Sequence, residues 1–167
     1  MNRALALAAY VATIVAANWM TATFGLVPIG FGLMVTAGTF AAGFALVARD
    51  AVQLTSPQWV VPLAILAGAI LSAVNATPAI AVASGVAFLA SEAVDWGVFT
   101  PLRSRSLPLA VIVSSVIAAP IDTVLFLWLA GFDVTWQAVA GQFIVKTVIA
   151  LVVAGALSVR RKEPDHG

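Results

Sequence analysis

The sequence predicts an all-α membrane protein, a bundle of six transmembrane helices with both termini in the cytoplasm. Of its 167 residues, 62% are hydrophobic and only 9% are charged, and the mean hydropathy is +1.08. A soluble domain is about 45–50% apolar and about 25% charged. A soluble chain of this length could not bury so much apolar surface without exposing large patches. Six apolar segments and a one-sided distribution of loop cations complete the prediction.

A transmembrane helix needs about 20 apolar residues, within a range of roughly 17–25. The predicted spans run approximately over residues 4–20, 31–48, 59–74, 78–99, 108–129 and 136–157 of a single domain, and a polar tail covers 158–167. We interpret the first segment as an uncleaved span rather than a signal peptide, because more hydrophobic chain follows it.

Turn-forming residues separate these segments. Thr77 before Pro78 is typical of a helix N-cap followed by proline at the first helical position, where no amide donor is needed. The remaining separators are Gly25, Pro28, Gly30 and Gly32, then Thr55 to Pro57, Ser106 and Pro108, and Asp133 to Thr135.

Lysine and arginine indicate the orientation, because cytoplasmic loops of membrane proteins carry an excess of both. Alternate loops contain neither residue, so with an even number of spans every loop cation falls on one side. We therefore expect the side that carries the cations to be the cytoplasm. The protein would then be a multi-pass protein of the cell (cytoplasmic) membrane. The loop and terminal cations are Arg3, Arg49 at the end of the second span, Arg103, Arg105, Arg160, Arg161 and Lys162.

The composition also argues against several kinds of site. There is no cysteine, which excludes disulfides and thiolate metal ligands, and the one histidine, His166, lies in the polar tail. A net charge of +1 carried by so few ionisable groups forms no nucleic-acid patch. We expect no catalytic residue, no metal, no cofactor and no nucleic-acid partner; the lipid bilayer is the expected surrounding.

Four ionisable residues lie inside predicted spans, namely Glu92, Asp95, Asp122 and Lys146. Ionisable groups at bilayer depth are costly and usually functional. At about 1.5 Å per helical residue, Asp122, Lys146 and Asn18 fall in one band around the middle of their spans. We therefore expect a polar cavity inside the bundle.

Structural interpretations of the same residues remain open. Asp122 and Lys146 could neutralise each other as a structural pair. Asp95 is near enough to the cytoplasm to be solvated, and Arg49-Asp50 is adjacent to the interface, where it would anchor the topology.

Asn18 and Thr39 are residue types that often hydrogen-bond between helices in membranes. Tryptophans such as Trp96 and Trp128, taken singly, more often serve in packing than as stacking platforms.

Polar and aromatic residues follow a definite order over five spans. Their order and spacing, from Asn18 to about Leu157, resemble the queuosine precursor transporter family, also called the vitamin uptake transporter family. The residues that carry the resemblance are Asn18-Trp19, Thr36 to Phe40, Arg49-Asp50, Ala83-Ser84, Ser91-Glu92, Asp95, Val98-Phe99, Leu102-Arg103, Ile121 to Thr123, Phe126, Phe143 and Lys146.

The resemblance implies an importer of queuosine precursors, chiefly the deazaguanine base 7-cyano-7-deazaguanine. A carboxylate can accept the two adjacent donors of a guanine edge, a lysine or amide can donate to its carbonyl, and an aromatic side chain can cover its face. The expected substrate-binding residues are Asn18, Thr39, Glu92, Asp95, Asp122, Gln142 and Lys146, and the expected gate or aromatic wall is Asp50, Phe88, Trp96, Phe99 and Phe126.

Three functional hypotheses follow. The first is a transporter that binds a purine-like molecule near the midplane by alternating access, with homo-oligomerisation left open. The second is a substrate-binding subunit of an ATP-driven vitamin importer, whose ATPase would be another protein because the chain has no GxxxxGK[ST] pattern. The third is an intramembrane enzyme using Glu92 and Asp95, which no histidine, cysteine or protease motif supports.

Overall fold

The computed structural model describes residues 2–103 and 107–160, without the side chains of residues 50, 54, 99, 103, 107–112, 115, 150 and 153–160. This part of the chain contains six helices and one antiparallel pair of short strands, so the prediction of a mostly helical chain is confirmed. The elements are α1 (Arg3–Phe24), β1 (Leu26–Gly30), β2 (Leu33–Thr36), α2 (Thr39–Thr55), α3 (Val60–Asn75), α4 (Pro78–Arg103), α5 (Leu107–Leu129) and α6 (Trp136–Arg160).

The prediction of a helix over residues 31–48 is wrong at its start, where the chain forms a β-hairpin. Leu26 lies opposite Thr36 in the hairpin register. Residues 30–32 form the turn with φ values of 94°, 53° and 73°. Two of these three residues are glycines, which adopt positive φ without steric cost. An apolar run of this length cannot be assigned to strand or helix from hydropathy alone.

Several other boundaries also differ. Helix α1 continues to Phe24 instead of ending near residue 20, and α2 continues to Thr55, so Arg49 lies inside the helix rather than at its end. The predicted cap of α4 is confirmed, since Thr77 Oγ1 accepts a hydrogen bond from the amide of Ile80 at 3.3 Å. Of the predicted polar tail, residues 158–160 continue α6, and residues 161–167 lie outside the described chain.

The six helices pack in a ring. Going round it, α5 packs on α4, α4 on α3, α3 on α1, α1 on α2 and α2 on α6, whereas α5 and α6 meet only sparsely. The apolar core lies between α1, α2 and α3, with Tyr10, Ile14, Val52, Val61 and Ile65 at its centre.

The hairpin lies at one end of the ring, where β2 packs against α6. Val35 is fully buried there and Thr36 is nearly so. A Cβ at Gly141 of α6 would lie only 2.3 Å from the carbonyl oxygen of Met34. The close approach of β2 therefore requires glycine at this position.

Polar side chains face inward and large apolar ones face outward. Ile70, Val82, Trp128 and Leu151 are each more than half exposed. Exposed apolar surface on this scale marks a surface that is covered in the working protein. The buried polar residues are Asn18, Thr21, Thr36, Thr39, Ser72, Ser84, Asp95, Ser114, Asp122, Thr123, Gln142 and Lys146.

Two helical segments of the described chain, Arg3–Phe24 and Pro78–Leu102, are long and apolar enough to cross a membrane. The helix Val60–Asn75 and the segment Val116–Leu129 of α5 are shorter apolar helical stretches. Length and apolarity alone do not separate a span from the core helix of a soluble protein, so the outward-facing apolar side chains are the more informative observation.

Candidate functional site

A cavity opens inside the ring, next to the docked hairpin. Its empty volume is about 310 Å³ including the open mouth, so the enclosed part is narrow. Five helices, the end of β2 and the connection between β2 and α2 contribute to its wall. The lining residues are Ala17, Asn18, Thr21, Thr36, Gly38, Thr39, Ala42, Ser84, Phe88, Asp122, Phe126, Gln142 and Lys146.

A buried ion pair crosses the sparse contact between α5 and α6 at this cavity. Lys146 Nζ donates to Asp122 Oδ2 at 2.5 Å and to Thr123 Oγ1 at 3.1 Å. The side chains of Lys146 and Asp122 are only 5% and 11% exposed. Their charges cancel, and they are the only ionisable groups among the lining residues. The described wall of the cavity therefore carries no net charge.

Two further predicted residues lie in the wall with partners of their own. Asn18 Nδ2 donates to Ser72 Oγ of α3 at 2.9 Å, so the interpretation of Asn18 as a hydrogen bond between helices is confirmed. The hydroxyls of Thr36 and Thr39 lie 3.0 Å apart and hydrogen-bond each other where the chain passes from β2 to α2. These bonds hold α1, α3 and the hairpin exit in place around the cavity.

Gln142 differs from the other lining amide, Asn18, because its amide nitrogen is not satisfied. The residue is 1% exposed, and Nε2 has no hydrogen-bond partner among the described residues. A carboxamide offers both N–H donors and a carbonyl acceptor. Since a buried polar group without a partner costs about 1–3 kcal/mol, this amide is suited to bind a ligand that supplies the partner.

Two of the predicted aromatic residues line the cavity. Phe88 of α4 and Phe126 of α5 both contribute to its wall. Trp96 is 58% exposed and lines neither this cavity nor the second one described below. The side chains of Asp50 and Phe99 lie outside the described residues.

Glu92 and Asp95 do not join Asp122 and Lys146 in one cavity, contrary to the expected shared site. Glu92 accepts hydrogen bonds from Arg49 Nη1 at 3.1 Å and from Gln53 Nε2 at 2.8 Å. It borders a second cavity, whose empty volume including the open mouth is about 250 Å³. Asp95 is 7% exposed and borders neither cavity.

Comparison of the sequence with models of known protein families gave a match that covers almost the whole chain. A family model described as "Putative vitamin uptake transporter" matches residues 4–159. The chain belongs to this family. The resemblance noted in the sequence is thereby confirmed over almost the whole chain. Comparison with curated proteins and with solved structures gave no match.

Membership of the vitamin uptake transporter family explains why the outer surface of the bundle is apolar. A transporter acts in a membrane, and the outward-facing apolar residues of all six described helices are what contact with lipid requires. Family membership together with these helices therefore indicates a membrane protein of a transporter family.

The sequence did not reveal that two residues of α2 bind Glu92. Arg49 and Gln53 both donate hydrogen bonds to Glu92. The predicted second span ends near residue 48, before both of them. The available signal was their spacing of four residues, which puts both side chains on one face of a helix if the helix continues.

Proposed function

We propose that the protein is a membrane transporter that imports a queuosine precursor, a deazapurine base such as 7-cyano-7-deazaguanine. Substrate would bind in the cavity at Asp122, Gln142 and Lys146 and be exposed alternately to each side of the membrane. The observation that carries the proposal is a cavity whose described lining has no net charge and includes an unpartnered amide. The vitamin uptake transporter family supports the transport class.

The charge balance of the cavity supports an uncharged substrate. An anionic vitamin or a nucleotide would need a cation that is not already neutralised, since a charge moved out of water without a partner is strongly disfavoured. Lys146 is paired with Asp122 at 2.5 Å. A neutral base avoids this cost.

The unpartnered amide supports a heterocycle with an amide-type edge. Such an edge presents an N–H and a carbonyl side by side, and the carboxamide of Gln142 can accept from the first and donate to the second. The second carboxylate oxygen of Asp122 would accept a further donor. Phe88 and Phe126 would cover the flat faces of the base.

The same proposal includes six spans with both termini in the cytoplasm of the cell. The hairpin then lies at the outer end of the bundle, where it supplements α2, which is only 17 residues long. Non-helical backbone is tolerated at membrane depth when it is buried in protein or lines a cavity. The paired strands and the packing of β2 on α6 meet that condition.

Uptake of labelled 7-cyano-7-deazaguanine tests the proposal in cells that cannot synthesise the base. Wild type should restore uptake, and Asp122→Asn and Lys146→Ala should abolish it. Asp133→Asn is the matched control, because Asp133 is an exposed residue between α5 and α6. Wild-type cells that take up none of this base would refute the substrate, and equal uptake by all four forms would refute the site.

Reconstitution separates this transporter from a subunit of an ATP-driven importer. The purified chain alone should carry the base into liposomes. Uptake that needs a second protein and ATP would favour the alternative.

A further inference from the structure

The helices α2 and α4 face each other across the ring without being neighbours in it, yet side chains connect them. Arg49 and Gln53, one turn apart on α2, both donate to Glu92 of α4, at 3.1 and 2.8 Å. Both oxygens of the Glu92 carboxylate are thereby occupied. We call these three residues the Glu92 bridge.

A second cavity lies between the Glu92 bridge and the first cavity. Its empty volume, including its open mouth, is about 250 Å³, and Tyr10, Ser91, Arg49 and Glu92 contribute its polar wall. Phe88 lines both cavities. The order through the bundle is therefore the first cavity, the phenyl group of Phe88, the second cavity and the Glu92 bridge.

The Arg49–Glu92 and Lys146–Asp122 ion pairs differ in their access to water. The side chains of Arg49 and Glu92 are 15% and 17% exposed, compared with 5% and 11% for Lys146 and Asp122. An ion pair that water can reach exchanges its partners for solvent at lower cost than a fully buried one. The Glu92 bridge is thus the pair better suited to open and close.

We infer that the Glu92 bridge is the cytoplasmic gate of the transport path and that the second cavity is a transit chamber above it. This inference rests on the proposed function and assigns Glu92 to the gate instead of to the substrate contacts. When the bridge is formed, its hydrogen bonds connect α2 to α4 and close the cytoplasmic side of the second cavity. When the bridge breaks, water replaces both hydrogen bonds to Glu92, and a base that has passed Phe88 can leave.

Cross-linking across the bridge tests the gate, because the chain has no cysteine of its own. In an Arg49→Cys/Glu92→Cys variant, a bifunctional thiol reagent with a spacer as long as the bridge should stop uptake of the labelled base. Cleaving the linker with a reductant should restore uptake. Each single-cysteine variant treated with the same reagent is the control. Thermal stabilisation by the base should survive the cross-link, because the first cavity is untouched.

A second variant tests the same gate without cross-linking. Glu92→Gln removes the charge but keeps a side chain of the same size. A weakened gate should leave thermal stabilisation by the base unchanged and speed its exchange out of loaded liposomes. Slower exchange, or loss of stabilisation, would contradict the gate.

The outcomes separate the gate from the proposed function. If wild type transports the base and the cross-linked pair transports it equally well, the gate is wrong and the transporter stands. If the cross-linked pair loses binding together with uptake, Arg49 and Glu92 belong to the binding site and the gate is again wrong. If wild type neither binds nor transports the base, both proposals fail.

Discussion

Asp122 and Lys146 place two opposite charges in the bundle interior, where both side chains are largely buried. Each is compensated by the other, and Thr123 accepts one further hydrogen bond from the lysine. The main effect of such a pair on protein stability appears when one partner is removed, because the other charge is then buried without compensation. The pair can therefore serve structure and substrate binding at once, because it also faces the cavity.

Lys146→Met should destabilise the protein strongly, since it leaves the Asp122 carboxyl buried without its cation. The expected loss is roughly 3–5 kcal/mol, the usual result of removing one partner of a buried pair. Thermal unfolding of purified protein in detergent measures it. The double variant Asp122→Leu/Lys146→Met should unfold at a higher temperature than the single one. If the double variant is the less stable of the two, the pair is not compensated as described.

Gln142→Met should affect stability and binding in opposite directions. Removing an amide whose nitrogen has no partner should raise the stability of the ligand-free protein by about 1 kcal/mol or more. Affinity for the base should fall about two- to tenfold for each hydrogen bond lost. Gln137→Met, on the same helix but outside the cavity lining, is the matched control for unfolding temperature and base binding. Unchanged affinity in the Gln142 variant would remove this residue from the substrate site.

At the scale of elements, the hairpin is held by how closely its backbone approaches α6. A Cβ at Gly141 would meet a backbone oxygen of Met34, which cannot move aside as a side chain can. Gly141→Ala should lower stability by about 1–3 kcal/mol, the usual cost of overpacking. Gly97→Ala on α4 is the matched control.

A Cβ at Gly97 would have no heavy atom within 4 Å. Alanine there should be neutral or slightly stabilising, because glycine in a helix costs about 1 kcal/mol relative to alanine. Thermal unfolding of both variants checks the comparison. A Gly141 variant as stable as the Gly97 variant would show that β2 does not press on α6.

The hairpin also shows why sequence reasoning failed for the second predicted span. Gly30 and Gly32 signalled a turn, but the apolar strands on either side have the same hydropathy as the end of a helix. Only the packing of β2 against α6 decides between the two, and that contact joins residues far apart in sequence. The helices themselves could be predicted, because their apolar runs are long.

For the candidate site, the sequence predicted which polar residues lie inside but not which of them meet. Depth along each predicted span places Asp122, Lys146 and Glu92 inside the bundle, but it contains no information about which way each side chain points around the helix axis. Glu92 faces Arg49 instead of Lys146 as a result. The unpartnered state of Gln142 likewise depends on neighbours that spacing does not reveal.

At the scale of the whole molecule, orientation in the membrane can be read by thiol labelling. Phe31 at the hairpin tip is fully exposed, and Gln58 lies in the exposed connection between α2 and α3. A membrane-impermeant maleimide should label Phe31→Cys in intact cells and Gln58→Cys only after the membrane is opened. Wild type, without cysteine, gives the background. The reverse pattern would invert the topology.

The ion pair between α5 and α6 also has a consequence for how the protein is made. Asp122 is synthesised 24 residues before Lys146. Until the later residue emerges from the ribosome, α5 carries an acidic group that has no cation, and such a group enters lipid reluctantly. Under the proposed topology, the short connection from Ala130 to Thr135 would let α5 and α6 insert together as a pair of helices. A nascent chain arrested after α5 should therefore stay at the translocon, and release of α6 should let both helices move into the bilayer.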